Sequence, residues 1–233
     1  MGEATSQGKV SAIVVAAGSS QRMGGIDKIF APLAGRPLIA WSVEAFQHSP
    51  QVHQVVVVTQ EAAIGRVRGL VEEHGWNKVT DVCAGGRRRQ ESVANGLACL
   101  RDCAWVAIHD GARPCVTQDI IERGLLEARE TGAAIAAMPV ADTIKVAGDD
   151  GCIRRTPRRA RLWGAQTPQI FRYDIIMAAH SRRLRGLATD DAYLVERLGH
   201  RVKLYPGAPS NIKVTTPVDL AIAEALLREE GRA

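Results

Sequence analysis

The sequence predicts an α/β fold in which helices cover both faces of a mostly parallel sheet. Short apolar runs alternate with longer amphipathic stretches along the 233 residues, and no internal repeat interrupts this alternation. Such alternation is typical of βαβ units, whose parallel strands are buried on both faces. The length and the 46% of hydrophobic residues suffice for one well-buried core, so we expect residues 1–233 to form a single domain.

Individual elements follow from the local pattern. Six apolar runs of strand length predict the strands: Val10 to Ala16, Val52 to Thr59, Val79 to Cys83, Trp105 to His109, Ala133 to Val140 and Val202 to Tyr205. Four intervening stretches carry apolar residues at helical spacing: Pro37 to Gln47, Ala62 to His74, Gln90 to Arg101 and Thr117 to Glu130. Thr117 suits an N-cap, Pro37 suits a first helical turn, and a final helix is expected after Thr215.

Residues 141–165 break the alternation and predict a protruding β-hairpin arm. Asp142 to Val146 and Cys152 to Thr156 flank the turn-rich segment Ala147 to Gly151. An arm of this kind exposes unpaired strand edges, which a second copy of the chain would cover. We therefore expect a homodimer that forms through this arm.

Composition argues against several classes of protein. A formal charge of +5 indicates an anionic partner. We favour a small anionic ligand over nucleic acid, because a modest excess of arginine is usually only a solvated surface. The five cysteines are an odd number without a Cys-x-x-Cys pair, which indicates reduced thiols and not a zinc site or a disulfide framework. No run approaches the roughly 18 consecutive apolar residues of a membrane span. We expect a cytoplasmic protein with no nucleic-acid or membrane partner.

Ligands of an open α/β sheet bind beyond the carboxyl ends of its strands. Four loops leave such ends: Ala16 to Lys28, Ala84 to Ser92, His109 to Pro114 and Asn211 to Thr215. In the first loop, small residues let backbone N–H groups approach phosphate oxygens, and Arg22 and Lys28 add two positive charges. The loop fits neither a Walker nor a dinucleotide-binding pattern. It predicts a phosphate site whose cations stabilise charge on a reacting phosphate.

The remaining motifs narrow this prediction. They are Gly85 to Val93, His109-Asp110-Gly111-Ala112-Arg113-Pro114, Leu162 to Gln169, Thr189-Asp190 and Asn211-Ile212-Lys213-Val214-Thr215. In this order and at these spacings, from about Ser11 to Leu227, the chain resembles the 2-C-methyl-D-erythritol 4-phosphate cytidylyltransferase family. The resemblance implies a Rossmann-like three-layer sandwich. It also implies transfer of CMP from CTP to 2-C-methyl-D-erythritol 4-phosphate (methylerythritol phosphate below), with release of pyrophosphate, in the non-mevalonate route to isoprenoid precursors.

The resemblance further implies roles for individual residues. Those that match nucleotide-binding positions are Ala16, Ala17, Gly18, Gly86, Ser92 and Asp110. Arg22 and Lys28 match the pair that stabilises the transition state, and Arg159 and Lys213 complete the catalytic set. Positions around methylerythritol phosphate are matched by Asp110, Arg113, Thr143, Arg159, Thr167, Thr189 and Lys213. Thr143 and Arg159 lie on or beside the arm and would serve the partner subunit's site. A Mg²⁺ ion would be held mainly by the CTP phosphates, with no certain protein ligand.

Other interpretations stay open at this point. Asp110 could cap a helix, Arg113 and Arg159 could be structural ion-pair partners, and His109 is expected to be a buried supporting residue. The acceptor could be ribitol 5-phosphate or another sugar phosphate, or the base could differ. A non-catalytic nucleotide- or RNA-binding protein, using the arginine-rich segment Arg154 to Arg161, is the alternative from a different class.

Overall fold

The structure is a computed structural model that describes residues 8–18, 27–182 and 188–233. Its strands, in chain order, are β1 (Val10–Val15), β2 (Pro32–Leu33), β3 (Arg36–Pro37), β4 (Val52–Thr59), β5 (Val79–Ala84), β6 (Trp105–Asp110), β7 (Ala133–Pro139), β8 (Val146–Ala147), β9 (Ile153–Arg155), β10 (Trp163–Arg172) and β11 (Lys203–Pro206). Its α-helices are α1 (Leu38–Gln47), α2 (Ile64–His74), α3 (Arg89–Ala98), α4 (Gln118–Thr131), α5 (Tyr173–Ser181), α6 (Asp191–Glu196) and α7 (Pro217–Glu229).

Seven of these strands form one mixed sheet in the order β11-β7-β10-β6-β1-β4-β5. Strands β6, β1, β4 and β5 run parallel to one another, and β11 runs parallel to β7. Apolar residues of α1, α2 and α4 pack on one face of the sheet, and those of α3, α5 and α6 pack on the other. The predicted three-layer α/β sandwich with a mostly parallel sheet is therefore confirmed.

The predicted elements are close to the observed ones, with five omissions among the strands and α-helices. The strand at Val52–Thr59 has the predicted bounds, and Thr117 is an N-cap whose Oγ1 accepts a hydrogen bond from the Ile120 N–H at 3.4 Å. Helix α3 ends at Ala98, three residues before its predicted end, and Pro37 is the N-cap of α1 rather than part of its first turn. The short strands β2 and β3, strand β10 and helices α5 and α6 were not predicted from the sequence.

Strand β10 is the most consequential omission. It lies antiparallel between β6 and β7 in the interior of the sheet, as the third of its seven strands. Its pairing with β7 is irregular between Ala165 and Gln169, where Pro168 interrupts the ladder. Proline in a sequence normally argues against a central strand, because it removes a backbone donor. The irregularity accommodates Pro168 and brings Thr167 beside the end of β6.

The arm is a shorter hairpin than the sequence predicts. Strands β8 and β9 pair through Val146–Arg155 and Ala147–Ile153, so the paired region is narrower than residues 142–156. The apolar side chains of Ile144 and Ile153 are exposed there, as is Trp163 at the start of β10. Across the described residues, no helix combines the length and the apolarity that a bilayer span requires.

Hydrogen bonds fasten the strand ends to one another at the carboxyl edge. The Gly111 N–H donates to the Val15 carbonyl at 2.8 Å, and the Gly85 N–H donates to the Thr59 carbonyl at 2.7 Å. The Val214 N–H donates to the Ala112 carbonyl at 2.8 Å, which ties the loop before α7 to the end of β6. Four loops that are distant in sequence are thus held at one edge of the sheet.

His109 supports this edge from inside the core, as expected. Its ring is fully buried beside Phe46, with 5.1 Å between the ring centroids. Nε2 lies 3.1 Å from the Arg113 carbonyl, and Nδ1 lies 3.0 Å from Thr167 Oγ1, which itself accepts the Asp110 N–H at 3.0 Å. A carbonyl can only accept, so Nε2 carries the proton and Nδ1 accepts from the Thr167 hydroxyl. His109 is therefore a neutral imidazole that locks β10 onto the end of β6.

We predict that His109 makes the fold sensitive to mild acid. Burial lowers the pKa of His109 from 6.5 to about 4, so the unfolded chain binds a proton in this window that the folded chain does not. Stability should therefore fall as the pH drops from 6.5 to 4, by about 3 kcal/mol from this residue. His109→Gln keeps a donor for the Arg113 carbonyl and an acceptor for Thr167, but does not titrate. Urea unfolding at several pH values should show that the free energy of unfolding falls less on acidification in this variant than in the parent. An identical fall in both proteins would contradict a neutral, buried His109.

Candidate active site

A cavity of about 520 Å³ opens at the carboxyl edge of the sheet, where the four loops meet. Its lining residues are Val15, Ala16, Ala17, Gly18, Lys28, Ile29, Gln60, Gly86, Arg87, Arg88, Arg89, Ser92, Asp110, Ala112 and Lys213. This volume is in the range of small-molecule sites. The position beyond the carboxyl ends of β1, β4, β5 and β6 is the one that the sequence analysis predicts.

The backbone at one end of the cavity is shaped by close packing of two loops. A Cβ at Gly85 would lie 2.3 Å from the Ala17 Cβ and 2.7 Å from Ser92 Oγ, so this position requires glycine. The Gly86 N–H donates to Ser92 Oγ at 3.1 Å, and Glu91 Oε2 accepts the Arg87 N–H at 2.9 Å. The loop after β5 is therefore held close to the loop after β1, and both present small residues to the cavity.

Asp110 lies at the centre of the site, at the last position of β6. Only 8% of the residue is exposed, and three cations surround its carboxylate. Oδ2 lies 2.7 Å from Lys213 Nζ and 3.7 Å from Arg113 Nε, while Oδ1 lies 3.4 Å from Arg89 Nε. Burial alone would raise the pKa of Asp110, but Arg89, Lys213 and Arg113 together hold it well below its ordinary value. Asp110 is thus an ionised organiser of cations and not a helix cap.

The described lining of the cavity is strongly cationic. Five of its side chains carry a positive charge and one, Asp110, carries a negative charge; the cations are Lys28, Arg87, Arg88, Arg89 and Lys213. Lys28 begins a short 3₁₀ turn whose next two residues, Ile29 and Phe30, are buried. The turn therefore fixes the backbone of Lys28 at the cavity wall. Such an excess of fixed positive charge suits a polyanionic ligand.

The structure brings together eight of the residues that the resemblance implies. Those that line the cavity are Ala16, Ala17, Gly18, Lys28, Gly86, Ser92, Asp110 and Lys213. Arg113 and Thr167 lie directly behind it, where Arg113 also donates to the Asn211 carbonyl at 2.7 Å and Thr167 accepts the Asp110 N–H.

The other implied residues lie elsewhere in the chain. Thr189 is exposed just before the N-cap of α6, and Thr143 and Arg159 are exposed on the arm. The Arg159 guanidinium donates to the Ala141 carbonyl at 2.7 Å, and neither arm residue is among those that line the cavity of its own chain. Arg22 lies outside the described residues.

Sequence reasoning missed Arg89 and Gln60, which line the cavity. Three arginines follow one another at residues 87–89, and nothing in that run distinguishes the third. The distinction appears only in the fold, because Arg89 is the first residue of α3 and turns towards two carboxylates. Gln60 follows β4, and its Nε2 lies 3.4 Å from the Gly18 carbonyl.

The cavity offers little protein coordination for a metal ion. Asp110 is the one carboxylate among the described lining residues, and both its oxygens already face cations. No group of three or more histidine, cysteine, aspartate or glutamate side chains within the described parts of the chain is arranged to hold a metal. Asp110 is therefore the single carboxylate that the described lining could offer to a divalent cation.

Comparison with known proteins gives the family. The sequence model of "IspD: 2-C-methyl-D-erythritol 4-phosphate cytidylyltransferase" matches residues 10–229. The 2-C-methyl-D-erythritol 4-phosphate cytidylyltransferase of Dehalococcoides mccartyi strain CBDB1 is 50% identical over 221 residues, which cover 95% of this chain and 97% of that protein. The corresponding protein of Alkaliphilus oremlandii is 43% identical over 231 residues, with coverage of 96% and 98%.

Solved structures agree in fold as well as in sequence. The 4-diphosphocytidyl-2C-methyl-D-erythritol synthase of Anaerococcus prevotii aligns with a TM-score of 0.84 at 27% identity, covering 96% of this chain and all of that one. The cytidylyltransferase of Thermus thermophilus aligns with a TM-score of 0.76 at 32% identity, covering 93% and 98%. Together with the cavity, these matches argue against a non-catalytic nucleotide- or RNA-binding protein. The chain belongs to the 2-C-methyl-D-erythritol 4-phosphate cytidylyltransferase family and is a cytidylyltransferase.

Proposed function

We propose that the cavity at the carboxyl edge of the sheet is where this enzyme transfers CMP from CTP to methylerythritol phosphate and releases pyrophosphate. The observation that carries the proposal is the set of five cationic side chains that line one cavity with a single ionised carboxylate, in a chain of this family. The reaction must bring two polyanions together, and fixed positive charge offsets their repulsion. We further propose that the enzyme works in the cytoplasm and acts on these two small molecules, with no nucleic-acid or membrane partner.

The nucleotide would occupy the end of the cavity formed by the loops after β1 and β5. Ala16, Ala17 and Gly18 leave room for the triphosphate to approach backbone N–H groups. Gly86 and Ser92 would hold the cytosine, since Ser92 already organises that loop through its contact with the Gly86 N–H. Base selection would therefore depend largely on backbone groups whose positions are fixed before CTP binds.

The chemical step needs no general base. A phosphate monoester oxygen of the acceptor is already a nucleophile at neutral pH, and it attacks the α-phosphorus of CTP in line with the leaving pyrophosphate. Arg22 and Lys28 would stabilise the negative charge that builds up on the reacting phosphate. Mg²⁺, held by the triphosphate when CTP binds, would neutralise part of the remaining charge.

The acceptor would bind on the opposite side of Asp110. Lys213 and Arg113 supply positive charge for its phosphate, and Asp110 would lie between the acceptor hydroxyls and the ribose of CTP. Thr167 and Thr189 would complete the set of acceptor-binding residues that come from the same chain as the cavity. The exposed apolar residues of the arm favour a homodimer, through which the partner subunit's Arg159 and the partner subunit's Thr143 would reach this side of the cavity.

We predict that Lys28→Ala slows turnover with little effect on the fold. Removing one preorganised donor of this kind typically costs about 3 kcal/mol of barrier, or a loss of roughly a hundredfold to a thousandfold in kcat. Lys203→Ala is a matched control, because Lys203 pairs with Glu127 and Glu130 far from the cavity. Pyrophosphate release and thermal unfolding should be measured for both variants. Turnover of Lys28→Ala within a few fold of the parent would refute the role.

The choice of acceptor can be tested in the same assay. With CTP, we expect methylerythritol phosphate to give pyrophosphate release about a hundredfold faster than ribitol 5-phosphate, because acceptor hydroxyls that do not match leave buried polar groups unpaired. Replacing CTP by UTP at fixed acceptor tests base selection. Equal rates with both acceptors would contradict the assigned substrate, whereas no release with either would contradict the reaction type.

Mixing two variants that each lack one proposed catalytic cation tests whether the arm serves the partner's site. If Arg159 acts in the other subunit, a dimer of one Lys28→Ala chain and one Arg159→Ala chain contains one intact site and one doubly altered site. Random exchange should then restore about a quarter of the parent activity, since half of the dimers are mixed and half of their sites are intact. Activity that stays at the level of the separate variants would show that Arg159 acts within its own chain or not at all.

A further inference from the structure

Arg89 forms a bridge that the assigned roles do not explain. Its guanidinium Nη1 lies 2.5 Å from Asp191 Oδ2, and its Nε lies 3.4 Å from Asp110 Oδ1. Asp191 is far from Asp110 in sequence and belongs to the first turn of α6. One arginine therefore joins the carboxylate at the centre of the active site to a second carboxylate in the core.

Asp191 gives this bridge a rigid end. The residue is 1% exposed, and its Oδ1 lies 3.0 Å from Nε2 of His180, whose side chain is only 5% exposed. The Asp191 N–H also donates to Gln169 Oε1 at 3.1 Å, which links the start of α6 to β10. With its other oxygen bound to Arg89, Asp191 has no freedom to turn. Arg89 is thus anchored to the sheet and to the helices α5 and α6.

The two oxygens of Asp110 are held by different partners. Oδ2 faces Lys213 and Arg113, the cations proposed for the acceptor phosphate, whereas the contact of Oδ1 is with Arg89. Without Arg89, the carboxylate could rotate and offer both oxygens to Lys213. Lys213 would then be neutralised more completely, and the acceptor phosphate would meet less free positive charge.

We propose that Arg89 is a positioning residue for the transfer reaction, which orients the Asp110 carboxylate and so keeps Lys213 available to the acceptor. This inference rests on the proposed function of the cavity. It differs from a purely structural role, in which the ion pair between Arg89 and Asp191 would only stabilise the fold. The two roles can be separated because they depend on different carboxylates.

The decisive comparison uses a single and a double variant. Arg89→Gln leaves Asp191 buried without its cation, which is expected to be strongly destabilising. In Arg89→Gln/Asp191→Asn, the new asparagine amide still offers an oxygen to His180 and a donor to the glutamine that replaces Arg89, so no buried charge is left unpaired. We expect the double variant to recover the parent's midpoint of urea unfolding. Its kcat/KM for methylerythritol phosphate should nevertheless stay reduced by about 10- to 100-fold, while its KM for CTP changes by less than about threefold.

A conservative variant gives an independent result. Arg89→Lys keeps the charge, but one ammonium group cannot span both carboxylates as the guanidinium does. We expect it to fold and to lose about tenfold in kcat/KM for the acceptor. The matched control is Arg172→Gln/Asp174→Asn, which removes an exposed ion pair between α5 and the end of β10 and should keep parent activity.

Two results would overturn the proposal. One is recovery of parent activity together with stability in the Arg89→Gln/Asp191→Asn variant, and the other is parent activity in Arg89→Lys. If the double variant does not fold, the lysine variant decides alone. Failure of the parent protein to release pyrophosphate from CTP and methylerythritol phosphate would instead contradict the proposed function, so the two failures are distinguishable.

Discussion

The site depends on the buried carboxylate of Asp110 and the cations that surround it. A carboxylate at the end of a central strand can remain ionised only where positive charge offsets the cost of burial, and Arg89, Arg113 and Lys213 supply it. These residues come from α3, from the loop after β6 and from the loop before α7. Asp110 therefore draws three separate segments together, and the same cations remain partly available to an anionic ligand.

The charged side chains at the carboxyl edge of the sheet are supported by uncharged residues beneath them. Thr167 accepts the Asp110 N–H and donates to His109, so the backbone that carries the carboxylate is fixed by an uncharged network beneath it. Close packing of Gly85 against Ala17 fixes the neighbouring loops in the same way. The cations thus project from a preorganised edge, which is the arrangement that the proposed phosphoryl chemistry requires.

Much of the fold and of the candidate site could be predicted from the sequence, because the parallel strands and their loops follow from local patterns. Apolar runs locate β1, β4, β5 and β6, and a parallel sheet places the residues after them at one edge, which brings Gly18, Gly86 and Asp110 together. Strand β10 could not be predicted in this way, since Pro168 interrupts its pattern and its antiparallel pairing is a property of the whole sheet. The role of Arg89 was also hidden, because its two partners are 21 and 102 residues away along the chain.

Positive charge organised by Asp110 should bring two anions into one cavity. A crystal structure of the protein with an unreactive CTP analogue, Mg²⁺ and methylerythritol phosphate would show whether it does. We expect the triphosphate beside Lys28, the acceptor phosphate within hydrogen-bonding distance of Lys213 or Arg113, and the Asp110 carboxylate between the two ligands. An acceptor phosphate bound away from both cations, with Lys213 still paired only to Asp110, would contradict it.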